Sequence, residues 1–436
     1  MTRHTLLALA AVVGLFTGLG FQPARADSTV NVRVDNYIIS FPNEIVFSLE
    51  ADAPFVINKI TLNFRAGSTV ATRYGYPDFT PGNQVKATYR LKTSGGENNQ
   101  NYLPPFTTIR YWYVFEGPNG ERVQTPEKSF LYQDTRFVWK NLAKDTVTVY
   151  YYGGADATAQ VVLDTALQTL DKMGREAGMT LERPIKVILY NTKADMDGAI
   201  PFTSARSRQE LVTAGQAYSE HDLVLVLGVG RDVVRTVAHE VTHLITHQLS
   251  DNPYQNIPAW LNEGLSMYAE GDLYGEYKRA LDQAVRQDRL FSVRQMTTMP
   301  GRPEDVILFY GQAHSLVKFL VDRYGPEKMS QLLAAYKAGT TDDDALRKVY
   351  GFDRDGLYAQ WRQSLGLPPQ PTGSGQTPGA AQPAPQGPTQ PAPPRPAPGA
   401  QPSAFPVLAL AGAAVLGVLG LAAVAGLVVF VVSRNR

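Results

Sequence analysis

Three of the chain's six histidines fall within nine positions, two of them in His239-Glu240-Val241-Thr242-His243 and the third at His247. Histidine ligates metals as a neutral imidazole and trades protons near neutral pH. An α-helix turns by about 100° per residue, so a step of four returns almost to the same side. His239 and His243 therefore lie one turn apart on one face, where two ring nitrogens can converge on an ion at about 2.0–2.1 Å. Glu240 sits one step round the helix, placed to touch a water on that ion without ligating it. His247 lies about 12 Å beyond His239 along the axis, too far to share the ion, and reads as a surface residue. A catalytic centre of this kind needs a third protein ligand and an open fourth position. Glu263, twenty residues after His243, is the candidate.

The elements that must position these groups are legible nearby. Val234, Val237, Val241, Leu244 and Ile245 recur at helical spacing, which predicts a half-buried helix over 232–248. The segment SDNPYQNIP is turn-rich, and AWLNEGLSMYAEG starts a second helix whose Trp260, Leu261, Leu265 and Tyr268 form the packed face. Glu263 falls on the other side of it. A hairpin of the two helices returns Glu263 towards the histidines.

The block His239-Glu240-Val241-Thr242-His243 followed by Asn262-Glu263-Gly264 resembles the gluzincin group of zinc metallopeptidases, most closely the bacterial peptidase MA-like proteins. The resemblance spans roughly residues 137–367. It implies one zinc ion per chain held by His239, His243 and Glu263, with Glu240 as general base and a protein or peptide as substrate. It also implies a small mixed sheet whose edge strand holds the substrate, followed by a helical subdomain. Three departures matter. The third histidine of metzincins is replaced by Leu249, and no G-x-M-E-N segment of alanyl aminopeptidases is present. The aspartate that thermolysin-like chains carry four residues after the third ligand is Met267, with Glu270 one turn further on as the expected substitute. The family also uses a downstream tyrosine or histidine to stabilise the oxyanion. Tyr310 and His314, four apart in EDVILFYGQAHSLVKFLVDRYG, are the two candidates, and His221 is a lesser one. Two other readings stay open: a catalytically inactive adhesion or scaffold protein that retains a metal site, and a zinc hydrolase of a non-peptide bond.

The remaining sequence says where this chemistry is held. The 436 residues allow two or three domains. The net charge of +1 without a basic block gives no footprint for nucleic acid, and the absence of cysteine excludes disulfides and thiolate metal sites. Residues 1–26 read as a signal peptide, with an apolar run from about Leu6 to Phe21 and Ala24-Arg25-Ala26 before Asp27. Residues 27–135 read as short alternating strands, an all-β sandwich of immunoglobulin or fibronectin type. Within it the run Tyr111, Trp112, Tyr113, Phe115 is expected to pack as core, with Trp112 on the opposite face. Residues 136–367 read as an α+β gluzincin-like metallopeptidase domain, with strands first and helices last. Residues 368–406 form a Pro-rich linker, able to reach on the order of 100 Å at ~3.1 Å per residue. Residues 407–432 carry no charge and are long enough for a transmembrane helix, and Arg434 and Arg436 in 433–436 mark a cytoplasmic tail. The expected protein is multidomain and single-pass in a cell membrane, in contact with the lipid bilayer through its C-terminal helix and carrying its body outside.

Overall fold

The computed structural model describes residues 29–94, 100–200, 214–228, 232–254 and 257–368. The expected signal peptide, Pro-rich linker, membrane span and tail lie outside these residues. Among the described residues no helix is long and apolar enough to cross a membrane.

The N-terminal strands form two antiparallel sheets. One has the order β1 (Asn31–Ser40), β2 (Glu44–Ile57), β5 (Gly82–Lys92). The other runs β4 (Arg73–Gly75), β3 (Lys59–Ala66), β6 (Thr107–Glu116), β7 (Arg122–Gln124), with β8 (Lys128–Tyr132) also paired to β6. Period-two alternation decides what each strand buries. Ile45, Phe47, Leu49 and Ala51 of β2 face Ile60, Leu62 and Phe64 of β3 across one core. In β6, Ile109, Tyr111, Tyr113 and Phe115 point into that core, while Trp112 turns outward under the guanidinium of Arg65, 4.9 Å from its ring. The aromatic run is therefore packing, not a binding platform.

A third, mixed sheet follows. Its order is β12 (Gly215–Tyr218), β13 (Leu223–Leu227), β11 (Ile185–Tyr190), β10 (Val147–Tyr151), β9 (Lys140–Lys144). The central three strands are parallel and the two edges antiparallel. Every residue of β13 (LVLVL) is buried, as expected for a strand covered on both sides. Val187, Leu189, Val224 and Val226 pack against helices. Ile188, Tyr190, Leu223, Leu225 and Leu227 belong to the core of the N-terminal strands. The N-terminal sandwich and the mixed sheet thus share one apolar layer.

The helices are α1 (Asp156–Ala177), α2 (Lys193–Asp197), α3 (Val233–Ser250), α4 (Ala259–Ala269), α5 (Gly275–Gln287), α6 (Pro303–Tyr324), α7 (Pro326–Lys337), α8 (Asp342–Tyr350) and α9 (Arg354–Ser364). Helix α3 packs against α1, α4, α7 and the mixed sheet. It was expected to be half-buried, yet residues 236–246 are all buried, because neighbours surround it on nearly every side. Only its start fits the expectation, with Val234 exposed. In α1, Val161 is exposed as well. The buried face runs through Ala159, Val162, Leu163 and Ala166, spaced three and four apart, and Val161 falls off that stripe.

Candidate metal centre

Helices α3 and α4 form the hairpin that the turn-rich segment between them predicts, and α6 packs across α4. That crossing is close at Gly264. A Cβ there would stand 2.5 Å from the carbonyl oxygen of Ala313 and 2.7 Å from Val317 Cγ2, so only glycine admits α6 at this distance. The residue before it, Glu263, is thereby held facing α3, and Tyr310 of α6 is brought beside it.

His239, His243 and Glu263 are all buried, and one ligand atom from each lies within 4.8 Å of the others. His239 Nε2 is 3.4 Å and His243 Nε2 3.8 Å from Glu263 Oε2. Ligands about 2.0–2.1 Å from a tetrahedral ion stand about 3.3 Å apart, so the cluster needs little adjustment to close on zinc. The rings of His239 and His243 are 4.9 Å apart and inclined at 77°, which lets both nitrogens aim at one point.

The other ring nitrogens are already engaged. His239 Nδ1 donates to Glu270 Oε1 at 2.7 Å, since a carboxylate can only accept. His243 Nδ1 donates to Asn262 Oδ1 at 3.1 Å, with Ser266 Oγ at 3.2 Å. These partners fix the tautomer in which Nε2 carries the lone pair. Nε2 of both histidines and Oε2 of Glu263 are buried without a well-aligned hydrogen-bond partner. Such orphaned atoms cost about 1–3 kcal/mol each when nothing binds them. Three orphaned lone pairs converging on one point fit a cation, and this donor set of two imidazoles and a carboxylate suits zinc.

Charge within the cluster follows from these contacts. Burial disfavours the charged form of His239, but bonds to Glu263 and Glu270 outweigh it and hold its pKa up at about 10 in the metal-free protein. Burial lowers that of His243. Burial opposes ionisation of Glu263 too, yet the two histidines and a hydrogen bond from Tyr310 keep it below its ordinary value. Glu270 faces Arg235 through its second oxygen, 3.9 Å from Nη1, and that guanidinium lies 3.7 Å over the Tyr274 ring.

Glu240 is fully buried beside the cluster. Burial pushes its pKa up to about 8. Its nearest backbone donor is Ala217 of the edge strand β12, which opposes that rise, but neither oxygen completes a well-aligned hydrogen bond. The same strand approaches closely at Gly215, where a Cβ would stand 2.7 Å from Glu240 Cγ and 2.6 Å from Thr236 Cγ2. Glu240 thus has its carboxylate against the edge of the sheet with its lone pairs free.

Tyr310 is buried, with its ring 6.3 Å from that of His239 and 6.0 Å from that of Tyr277. His314 is placed differently. Its Nε2 is 3.0 Å from the Gly271 carbonyl, its ring stacks loosely on Tyr268, and it lines a surface cleft with Asp272, Lys318 and Trp361. His247 is partly exposed with Asp251 3.8 Å away, and His221 sits against Thr107 Oγ1 at 3.2 Å. Neither joins the cluster. Asn262, Ser266 and Arg235 escaped the sequence reading. The step of four between Asn262 and Ser266, bracketing Glu263 on one helix, was a signal that could have found the first two.

Residues 165–366 match the family model of the Peptidase MA superfamily, a region that includes every residue of the cluster and leaves the first 164 residues outside. No curated protein matches the sequence. Among solved structures, the chain is similar to OgpA from Akkermansia muciniphila in complex with an O-glycopeptide, at 10% identity and a TM-score of 0.20, over 25% of this chain and 30% of that one. The match thus spans less than a third of the OgpA chain. It is also similar to an M1 zinc metallopeptidase from Deinococcus radiodurans, at 14% identity and a TM-score of 0.34, over 76% of this chain and 92% of that one. A two-domain form of the same peptidase bound to L-arginine gives 14% identity and a TM-score of 0.32, over 76% and 92%. By its matched domain the protein belongs to the Peptidase MA superfamily, among the gluzincin-type zinc metallopeptidases.

Proposed function

We propose that the protein hydrolyses peptide bonds with one zinc ion held by His239, His243 and Glu263. The observation that carries this reading is the convergence of three buried, unpartnered ligand atoms whose histidines are already tied down at Nδ1. Zinc, when bound there, supplies an acidified water and polarises the scissile carbonyl. The protein's own residues do the rest. Glu240 accepts the proton of the attacking water on its free carboxylate and returns it to the leaving amine; a carboxylate raised towards neutral pH suits both transfers. Asn262, Ser266 and Glu270 hold the two imidazoles in place. Tyr310 donates its hydroxyl proton to the carbonyl oxygen as charge develops on it, exchanging its present partner Glu263 for the substrate. His314 is committed to the Gly271 carbonyl, which favours Tyr310 for this role.

In this proposal the body, a sandwich over 27–135 and a peptidase domain over 136–367, stands outside a cell membrane on the Pro-rich linker and is anchored by residues 407–432. The charge-free span and the arginines after it support that arrangement.

The decisive experiment measures zinc and cleavage of an internally quenched peptide mixture for the wild type beside Glu240→Gln. The wild type is expected to carry about one zinc per chain and to cleave. The variant keeps the metal and loses about 10²–10⁴ in rate, the usual worth of a positioned acid–base group. A metal-replete wild type without zinc would end the proposal, and so would a variant as active as the wild type.

A further inference from the structure

The strand that lies against Glu240 is only four residues long. β12 pairs with β13 alone and forms one edge of its sheet. The N-terminal sandwich meets this strand, and the 3-10 turn Ser219–His221 that continues it, at three polar points. The Tyr218 hydroxyl donates to Tyr102 at 3.1 Å, and Tyr102 passes its own proton to the Ala199 carbonyl at 2.9 Å. The Glu220 carbonyl accepts from both the backbone N–H and the hydroxyl of Ser68, each at 2.8 Å. Thr107 Oγ1 meets His221 Nδ1 at 3.2 Å. The approach is closest at Gly67, which has φ +68°. A Cβ there would lie 2.3 Å from the Glu220 carbonyl oxygen and 2.7 Å from His221 Nδ1. At the strand's other end Gly215 touches Glu240.

We propose that the N-terminal sandwich braces the active-site strand, with Gly67, Ser68 and Tyr102 as positioning residues that fix β12 against Glu240. The kinetic consequence rests on the peptidase reading above; the brace itself is a statement about the strand. A short edge strand with one neighbour has few hydrogen bonds of its own, so its position is set by whatever holds its free side. A misplacement of about 1 Å at a reacting group costs as much as 10²-fold in rate. The sandwich then acts on catalysis without touching the substrate.

The test uses the full chain loaded with zinc and three variants. Gly67→Ala drives a methyl into the Glu220 carbonyl, and Tyr102→Phe removes the hydroxyl that Tyr218 reaches. Gly120→Ala is the control: it has φ +88° and nothing within 4 Å of its would-be Cβ, so it carries the same backbone strain at the far β6–β7 turn. Three quantities are read: amide hydrogen exchange over residues 214–221, zinc content, and kcat and KM on the internally quenched peptide mixture. Gly67→Ala is expected to speed exchange there and to lower kcat about tenfold, with KM and zinc near wild type. Tyr102→Phe does the same more weakly, about threefold, as suits one hydrogen bond. Gly120→Ala does neither. The brace is overturned if exchange over 214–221 stays at the wild-type rate in both interface variants, or if Gly120→Ala matches them. If Gly67→Ala does not fold, Tyr102→Phe decides alone. A wild type that binds zinc and cleaves nothing would defeat the peptidase reading, and the exchange comparison would still decide the brace.

Discussion

The two halves of the molecule treat buried polar groups in opposite ways. In the sandwich and at its border they are partnered. Thr93 accepts from Tyr132, Thr107 donates to the Pro104 carbonyl, and Asp134 collects three bonds from Arg136 and one from Tyr190. Its orphaned atoms, such as Asp52 Oδ1 and Arg110 Nε, are single and scattered, on residues otherwise bonded to Arg33 and Gly67. Between α3 and α4 the orphans cluster: two imidazole nitrogens, one oxygen of Glu263 and both oxygens of Glu240. Folding alone gives no reason to bury five such atoms together. A fold that satisfies its polar groups in one region and leaves them free in another is holding the second region for a ligand and a reaction.

The sharpest test of that contrast, after Glu240→Gln, is Tyr310→Phe. It removes one oxygen and keeps the ring that packs on Tyr277. The expected result is a fall of about 10²–10³ in kcat with normal zinc content and a modest change in KM, because the donor acts on charge present only in the transition state. His314→Ala should lose less than tenfold. The reverse ranking would hand the role to His314, and two variants both near wild type would leave α6 as packing.

How much of this was legible differs between the halves too. The ligand set could be read because a helix repeats every 3.6 residues, so His239 and His243 declare a shared face, and Asn262-Glu263-Gly264 declares its partner. The sandwich strands could be read from alternation. The shared layer between sandwich and mixed sheet could not. An apolar stretch such as LVLVL looks the same whether helices or strands cover it. Nor could β12: GQAY is short and half polar, and its importance comes from Gly215 meeting Glu240, a contact between distant parts of the chain. Glu270 was legible only as a position one turn beyond Met267; its bond to His239 depends on how α4 ends.

In the partnered half the expected effect is on stability instead of rate. Asp134 is fully buried and its pair with Arg136 is the best-satisfied ion pair there. Asp134→Ala strands the guanidinium and the Tyr190 hydroxyl, and should lower unfolding free energy by about 3 kcal/mol in denaturant titration. Glu240→Gln removes a buried carboxylate without partners and should leave the stability of the metal-free protein unchanged or higher. If Glu240→Gln proves the more destabilising of the two, the contrast between the halves is wrong.

Glu270→Gln probes the border between the two behaviours, since Glu270 is a satisfied group serving an unsatisfied one. The amide can still accept from His239 Nδ1 but loses its charge. Zinc affinity in a chelator competition should drop about 10–100-fold, the usual effect of a partner behind a ligating histidine. An unchanged affinity would mean that packing alone orients His239.

The smallest effect is expected where the halves meet. His221 is held between Thr107 of the sandwich and the end of β12, with Lys186 of β11 and Arg73 of β4 repelling its charge and Asp222 attracting it. Burial is the largest influence and pushes its pKa down to about 4, against about 6.5 for the free side chain. Between those values the unfolded chain binds a proton that the folded protein refuses, so stability rises with pH across the window. The contribution is complete above pH 6.5, drains away as pH falls towards 4, and changes no further below it. His221→Gln keeps a polar group at the site and removes the titration. Its melting temperature, followed from pH 7.5 to 4, should therefore fall less steeply than that of the wild type, with the two curves diverging only below about pH 6.5. Parallel curves would show that His221 is not held neutral at this seam.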